Sequence, residues 1–351
     1  MKILSIETSC DETGITILNV TGNENNPVFE VLANNLSSQI KIHAEYGGVY
    51  PALAKREHIK NLPILLEKTL KKLKLEKSKK PVDMIAVTSG PGLEPALWTG
   101  IVFAKELSKK WNVPVVPVNH MEGHVLSVFA KNGKFKIPKI KFPTLSLLVS
   151  GGHTELVFVK DWMKYKKIGE TCDDAAGEAF DKVARMLSLP YPGGPQVSKL
   201  AALSRKIKLI SEITLPRPMM YSKNYDFSFS GLKTAVLYLI QKIRSLDEKM
   251  KIEIAREFED AVVDVLTHKT IKAIKEHKIK TLIVAGGVSA NTQLKKILKK
   301  KIKENNLKIE VLFPNKKLST DNAIMISLVG YFRRKNKKTN IKADGNLSIG
   351  K

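Results

Sequence analysis

At 351 residues and 43% hydrophobic content the chain can bury two ordinary cores, so two lobes of similar size are expected rather than one large domain. The apolar start at residues 1–6 is too short for a signal peptide's hydrophobic region, no later stretch has the length of a membrane helix, and only Cys10 and Cys172 are present. These features argue against a membrane-spanning or disulfide-stapled protein and for a reduced, cytosol-like compartment. The formal charge of +25 would draw in a polyanion such as RNA, but most of the excess is Lys in helical runs (71–72, 77–80, 295–303), which solvated faces and genome composition explain equally well.

Residues 3–6 read as a buried strand and 14–20 as its partner, joined by Glu7-Thr8-Ser9-Cys10-Asp11-Glu12-Thr13. A hairpin tip that offers N–H groups, hydroxyls and carboxylates suits phosphate and metal, although most such tips are only polar loops. A second hairpin leads to a strand at 28–36. His43-Ala44-Glu45-Tyr46-Gly47-Gly48-Val49-Tyr50-Pro51 breaks structure, and a solvent-faced helix follows over 52–75, with a kink expected at Pro63. Residues 84–88 form a short strand that ends on Ser89-Gly90-Pro91-Gly92. A helix over 97–111 should place Trp98, Ile101, Val102 and Leu107 on one apolar side. The strand at 113–118 then delivers Asn119-His120-Met121-Glu122-Gly123-His124, where four-residue spacing puts both imidazoles on one helical face. Two stacked His side chains can grip one ion, which still needs an acid ligand or water.

Residues 131–143 read as a passage between lobes, after which the opening pattern recurs: strand 144–149, the turn Ser150-Gly151-Gly152-His153, and strand 154–159. This repeat suggests an ancient duplication whose two tips face a cleft. Next come the acidic stretch Asp173-Asp174-Ala175-Ala176-Gly177-Glu178-Ala179-Phe180-Asp181-Lys182, which reads as a helix start, and the rigid loop Leu189-Pro190-Tyr191-Pro192-Gly193-Gly194-Pro195. Phe229-Ser230-Gly231-Leu232-Lys233 should open a helix with a hydroxyl cap, and helices follow over 236–243 and 252–277. Strand 280–284 ends on Gly286-Gly287-Val288-Ser289-Ala290-Asn291, the kind of strand end where open α/β sheets bind nucleotides. After a last strand at 311–314, the closing helix over 324–332 should carry Asp321 in its first turn.

Taken in this order, the motifs at 6–13, 119–124, 148–154, 173–182, 191–195, 229–233, 286–291 and 319–323 resemble those of the tRNA N6-adenosine threonylcarbamoyltransferases, once called O-sialoglycoprotein endopeptidases. The resemblance is to the bacterial or organellar branch and spans about residues 3–334. It implies an α/β fold of the actin-like ATPase (ASKHA) type, with two duplicated lobes of mixed sheet and flanking helices around a nucleotide cleft. Residues 1–135 with 318–340 would form the lobe carrying the metal, 136–317 the nucleotide and substrate lobe, and 341–351 a tail. The resemblance further implies that His120, His124 and Asp321 hold one divalent metal, iron before zinc, with magnesium accompanying the nucleotide. By the same carry-over Leu148, Val149, Ser150, Gly151, Gly152, Asp181, Gly194 and Asn291 contact the nucleotide part of the substrate.

The family reaction moves the threonylcarbamoyl group from L-threonylcarbamoyl-adenylate to N6 of adenosine 37 in tRNAs reading codons that begin with A, releasing AMP. Asp11 or Glu12 would take the proton, Asp11 first because it sits at the tip. Expected partners are tRNA, the adenylate, and either a paralogous inactive partner with a small ATPase or a second copy of the chain, in the cytoplasm or an organellar matrix. Two positions depart from the family pattern. Ser198 stands where many relatives carry an acid, and Glu94-Pro95 interrupts the turn after Gly90-Pro91-Gly92. The rival functions are a phosphotransferase of the same fold, a tRNA-binding scaffold without catalysis, and a zinc protease, the last disfavoured because Met121 follows the first His where such proteases need Glu.

Overall fold

The computed structural model describes residues 1–24, 26–209, 212–243, 245–335 and 340–350. They divide into two compact units, 1–140 with 314–351 and 141–313. Positions 336–339 and 351, which the lobe and tail boundaries include, lie outside the described residues. In chain order the elements are β1 (Lys2–Glu7), β2 (Glu12–Asn23), β3 (Asn26–Ser38), α1 (Ile40–Ala44), α2 (Pro51–Lys72), β4 (Met84–Gly90), α3 (Glu94–Trp111), β5 (Val115–Asn119), α4 (His120–Ser127) and β6 (Lys134–Lys136). There follow β7 (Thr144–Val149), β8 (Thr154–Asp161), β9 (Lys164–Glu170), α5 (Ala176–Met186), α6 (Gly193–Lys206), α7 (Ser230–Lys242), α8 (Glu248–Glu276), β10 (Thr281–Ala285), α9 (Thr292–Glu304), β11 (Glu310–Leu312) and α10 (Ala323–Arg333).

Among the described residues the first unit is built on a mixed sheet in the order β5-β4-β1-β2-β3-β6. β1 runs antiparallel to β2 and parallel to β4, and β4 is parallel to β5. Alternation along β1 sets its two faces. Leu4 and Ile6 join Ile15, Ile17, Leu62 and Ile101 in the core beneath α2 and α3. Ser5 faces the other way, where its hydroxyl donates to Ala323 O at 2.6 Å and meets Ser327 Oγ at 2.5 Å, tying α10 to the middle of the sheet. Gly330 lets that helix lie close, since a Cβ there would stand 2.5 Å from Ala86 Cβ.

The second unit repeats the order, β11-β10-β7-β8-β9. β7 is antiparallel to β8 and parallel to β10, as β1 is to β2 and β4. Its core gathers Leu145, Leu147, Phe180, Phe258, Val262, Leu266, Leu282 and Val284 between the sheet and α5, α6 and α8. Two sheets with the same centre, the same antiparallel hairpin and the same parallel neighbours are what a duplicated lobe leaves behind.

Several local expectations are corrected. Ile101 and Leu107 are buried, but Trp98 and Val102 share the exposed side of α3, because each is offset by one residue from the buried pair Leu97 and Ile101 and so is turned away from the core. Glu94 and Pro95 do not break the turn; they form the first turn of α3, with Pro where its missing N–H costs nothing. Gly193 and Gly194 are not loop but the start of α6. Helix α7 has no hydroxyl cap of its own. Asp173 Oδ1 accepts from Phe229 N and Ser230 N at 2.8 and 3.2 Å instead. Asp321 precedes α10, one residue before the Asn322 cap, whose Oδ1 accepts from Met325 N at 3.1 Å. Residues 340–350 pack on the first unit: Ile341 and Ile349 are buried, and Asp344 N donates to Ser89 O at 2.9 Å.

Candidate metal centre and nucleotide-binding strand ends

Strand β5 ends at Asn119, whose Oδ1 accepts from Met121 N at 2.9 Å and Glu122 N at 3.3 Å and so caps α4. Capping fixes where the helix begins and therefore where its first residue, His120, points. His120 and His124 lie one turn apart, their rings edge to face with centroids 4.6 Å apart. Their Nε2 atoms each lie 3.2 Å from the same Asp321 oxygen. Helix α4 approaches α10 closely because Gly123 has no side chain; a Cβ there would stand 3.0 Å from Met325 Cγ. Glu122 takes a bidentate hold on Arg333 at the end of the same α10, at 2.5 Å and 3.1 Å. A carboxylate tied in this way is not the free base of a zinc protease.

The donor set fits a divalent metal. Among the described residues the ligand atoms of His120, His124 and Asp321 lie within 4.8 Å of one another. Nδ1 of His120 donates to Glu7 Oε2 at 3.1 Å, which leaves the Nε2 lone pair facing Asp321. His124 is fully buried, and among the described residues neither of its nitrogens has a hydrogen-bond partner. Its Nε2 lies 3.2 Å from Asp321 Oδ1 and interacts with it electrostatically. A buried imidazole with no hydrogen-bond partner at Nδ1 and a carboxylate beside Nε2 is what a metal ligand looks like. A fifth of the Asp321 side chain remains exposed, which gives the group an open side.

Electrostatics agree. Burial pushes the Glu7 carboxyl up, but His120 outweighs it and holds the group below the usual carboxylate range. Burial likewise opposes ionisation of Asp321, yet His120 and His124 hold it well below its ordinary value. Burial pulls the His120 imidazolium down, and Asp321 and Glu7 reverse this, raising its pKa well above the ordinary value. Two carboxylates around one position stabilise positive charge there, whether a proton or a metal supplies it. Sequence reading missed Glu7 as the group that sets the His120 tautomer. Its signal was an acid at the carboxyl end of an otherwise apolar strand.

Asp11 and Glu12 occupy the β1–β2 turn and are almost fully buried. Burial first, then the charges of Asp321 and Asp11, push the Glu12 pKa up to about 10, so Glu12 holds its proton at neutral pH. Next to them, the buried hydroxyls of Thr8 and Ser9 have no hydrogen-bond partner among the described residues.

The residues expected to contact nucleotide form a separate constellation within the second unit, at the carboxyl ends of β7 and β10. Leu148 and Val149 end β7, and Ser150, Gly151 and Gly152 form its turn. Ser150 O accepts from Gly177 N at the start of α5 at 3.2 Å. Further along α5, Asp181 Oδ1 accepts from Gly193 N at 2.7 Å and Gly194 N at 3.3 Å, joining α5 to α6. From α6, Ser198 Oγ accepts from Asn291 Nδ2 at 3.0 Å. Asn291 caps α9 through Leu294 N at 2.8 Å and donates to Glu259 Oε1 at 2.7 Å. The ring closes at Gly286, where a φ of +89° and the 2.4 Å that would separate a Cβ from Val149 O admit only glycine. Around this ring Gly151, Gly152 and Gly287 face open space, with nothing within 4 Å of a Cβ among the described residues. Glu259 is a contributor that motif reading did not supply: it accepts from the same Asn291 Nδ2 as Ser198, the position that departs from the family pattern.

The family model described as tRNA N6-adenosine threonylcarbamoyltransferase matches residues 30–328. Curated relatives carrying that name include one from Thermosipho africanus, 46% identical over 99% of this chain and 98% of the relative, and one from Chromobacterium violaceum, 45% identical over 95% and 94%. Among solved structures, T. kodakarensis HypF aligns with a TM-score of 0.58 at 12% identity, covering 95% of this chain and 48% of that one. Component A of the Acidaminococcus fermentans (R)-2-hydroxyglutaryl-CoA dehydratase aligns with a TM-score of 0.52 at 13% identity, covering 95% and 99%. These two likenesses establish the fold alone, that of the actin-like ATPases.

Proposed function

Because this chain belongs to the tRNA N6-adenosine threonylcarbamoyltransferase family, we propose that it transfers the threonylcarbamoyl group of L-threonylcarbamoyl-adenylate to N6 of adenosine 37 of tRNA, releasing AMP. The observation that carries the site assignment is the His120–His124–Asp321 group, with His120 turned toward Asp321 by Glu7. The phosphotransferase and scaffold readings have no comparable support, since neither needs two buried imidazoles against one carboxylate and magnesium prefers oxygen ligands.

His120, His124 and Asp321 would hold the metal. Iron is the first choice and zinc the second, because an imidazole-carboxylate set suits both. When bound, it would supply Lewis acidity toward the phosphate and the carbamoyl carbonyl. Glu7 orients His120. Thr8 and Ser9 offer hydroxyl donors to the anionic parts of the substrate. Asp11 accepts the proton that the adenosine amine loses as it attacks. Protonated Glu12 donates a hydrogen bond in the same turn and keeps a second negative charge away from the phosphate. In the second unit, the N–H groups of Gly151, Gly152 and Gly287, which face open space, receive the nucleotide, with Asp181, Gly194 and Asn291 shaping that surface.

No helix among the described residues is long and apolar enough to cross a membrane. A cytoplasmic enzyme acting on tRNA fits this and the bacterial relatives. A paralogous inactive partner with a small ATPase, or a second copy of the chain, completes the proposal. The experiment is transfer of labelled threonine to unmodified tRNA with the adenylate synthase supplied, with and without chelator. Transfer that chelator abolishes and added iron or zinc restores supports the reading, while transfer indifferent to chelator removes the metal from it.

A further inference from the structure

The segment from Gln39 to His58 has no part in the reaction so far, yet it contains two buried histidines. His43 lies on α1 and His58 on α2; both are 0% exposed, as is Ala54, and Gln39 is 1% exposed. Their hydrogen bonds run in one direction only. At the inner end, His58 meets Cys10 O at 2.9 Å through Nε2. A carbonyl only accepts, so Nε2 carries the proton and Nδ1 is an acceptor. Thr13 Oγ1 lies 2.8 Å from that Nδ1 and Gln39 Nε2 lies 3.4 Å from it. The same Gln39 nitrogen donates to Ala54 O at 3.4 Å, which fixes the amide's orientation independently. Gln39 Oε1 therefore accepts from His43 Nε2 at 3.0 Å, and His43 Nδ1 accepts from Tyr50 N at 3.3 Å. Every ring nitrogen in this row has one consistent role, and both imidazoles are neutral Nε2–H tautomers.

The row ends on the turn that carries Asp11 and Glu12. His58 holds Cys10 O on one side of Asp11 and Thr13 Oγ1 on the other, and Gln39 N donates to Asp11 O itself at 2.9 Å. Three oxygen atoms of a short turn are thus gripped by one imidazole and one glutamine. The outer end is the loop of Tyr46 and Tyr50, both more than half exposed and stacked 5.9 Å apart.

We propose that His58 is a positioning residue for the Asp11–Glu12 turn, locked in its tautomer by the row Tyr50–His43–Gln39–His58–Cys10. This rests on the reading that Asp11 takes the proton in threonylcarbamoyl transfer. The backbone of Asp11 has the N–H of Gln39 as a partner whichever side chain stands at 58. The orientation of the Cys10 carbonyl before it and of the Thr13 hydroxyl after it, however, is set by the ring. His58→Leu, with similar volume and no polar atoms, loses that grip.

The test uses the full chain with metal, tRNA and synthase-supplied adenylate. His58→Leu should lower kcat about 10²-fold, the cost of misplacing a reacting group by roughly an ångström, while KM for the adenylate and metal content per chain stay within about threefold. His58→Gln, whose Nε2 can reach the site of the ring Nε2, should recover at least about tenfold of that loss. Wild-type kcat in His58→Leu, or kcat, KM and metal content failing together, overturns the proposal. Where His58→Leu does not fold, Gln39→Met breaks the row at its middle with little change in volume and should lower kcat in the same pattern; no change overturns it. Nitrogen-15 spectra of the wild-type imidazoles at neutral pH should show His43 and His58 as neutral Nε2–H tautomers, and a Nδ1–H or charged His58 overturns the assignment. A wild-type chain that transfers no threonine defeats the proposed function instead, and the spectra still decide the row.

Discussion

The central strands of the two units have the same neighbours but present different chemistry at their carboxyl ends. In the first unit, β1 ends on Glu7 and a turn of buried acids and hydroxyls, and the edge strand β5 leads into α4 with its two imidazoles. In the second, β7 ends on Ser150-Gly151-Gly152 and β10 on Gly286-Gly287. The first end is built from side chains whose polar atoms are partly unpaired, His124 and the hydroxyls of Thr8 and Ser9 among them. The second is built from backbone, and its polar side chains Asp181, Ser198, Glu259 and Asn291 are already engaged with one another or with N–H groups. On the proposed function, a duplicated frame divides its labour: one copy supplies side-chain ligands for reacting groups, the other backbone donors for a nucleotide.

If that division is right, damage at each end should read out differently. The largest effect is expected from Asp321→Ala, which removes the shared oxygen facing both rings. Metal content should fall to background, and transfer by about 10³-fold, the equivalent of several kcal/mol of lost charge stabilisation. Adenylate binding through the second unit should persist, as a nucleotide-binding titration would show. Next comes Glu7→Ala, which frees the His120 tautomer and should weaken metal affinity about 10–100-fold, measurable by competition with a chelating dye. Equal metal affinity in that variant would mean that Asp321 alone orients the ring.

Gly286→Ala should do the opposite. Its φ of +89° and the 2.4 Å between a Cβ there and Val149 O leave no room for a methyl group, so the ends of β7 and β10 must part. A loss of about 1–3 kcal/mol in stability, seen in a denaturant midpoint, should accompany weaker adenylate binding with metal affinity unchanged. A metal defect in this variant would break the comparison.

How much of this is legible in the sequence follows from the range of the forces involved. The strands, the helical spacing of His120 and His124, and the glycine turns are local patterns, and periodicity reveals local patterns. The pairing of Asp321 with those histidines lies about two hundred residues away in the chain and comes only with the family resemblance. The start of helix α6 reads as loop in the sequence because Pro192-Gly193-Gly194-Pro195 looks like a breaker. Asp181 reverses that by accepting from the first two N–H groups of the helix, a tertiary contact no local rule contains. Glu7 and Glu259 have partners that are hidden for the same reason. Each is one acid whose importance is defined by the partner it meets after folding. Periodicity misplaces Trp98 and Val102 because four-residue spacing identifies a face without saying which way the face points.

The smallest predicted effect is on the pH dependence of stability, and its sign separates the His58 row from the metal group. Burial, only partly offset by the Cys10 carbonyl and nearby acids, holds the His58 pKa below its ordinary value, and burial does the same for His43. In the unfolded chain these rings take up protons near pH 6.5, while in the folded chain they stay neutral until the pH is lower. The unfolded state therefore binds more protons in that window, and stability falls as pH drops from about 6.5 toward the folded value, by at most about 1.4 kcal/mol per pH unit for each ring. His120 has the opposite sign. In the metal-free chain its raised pKa gives stability that is complete below about pH 6.5 and is lost as pH rises through the folded value, and a bound metal would take the place of that proton. Comparing urea midpoints of the wild type and His58→Gln at pH 7.5 and 5.5 isolates one ring. The variant should lose less stability on acidification than the wild type, and an equal or greater loss would mean that His58 titrates freely and that its tautomer is not locked.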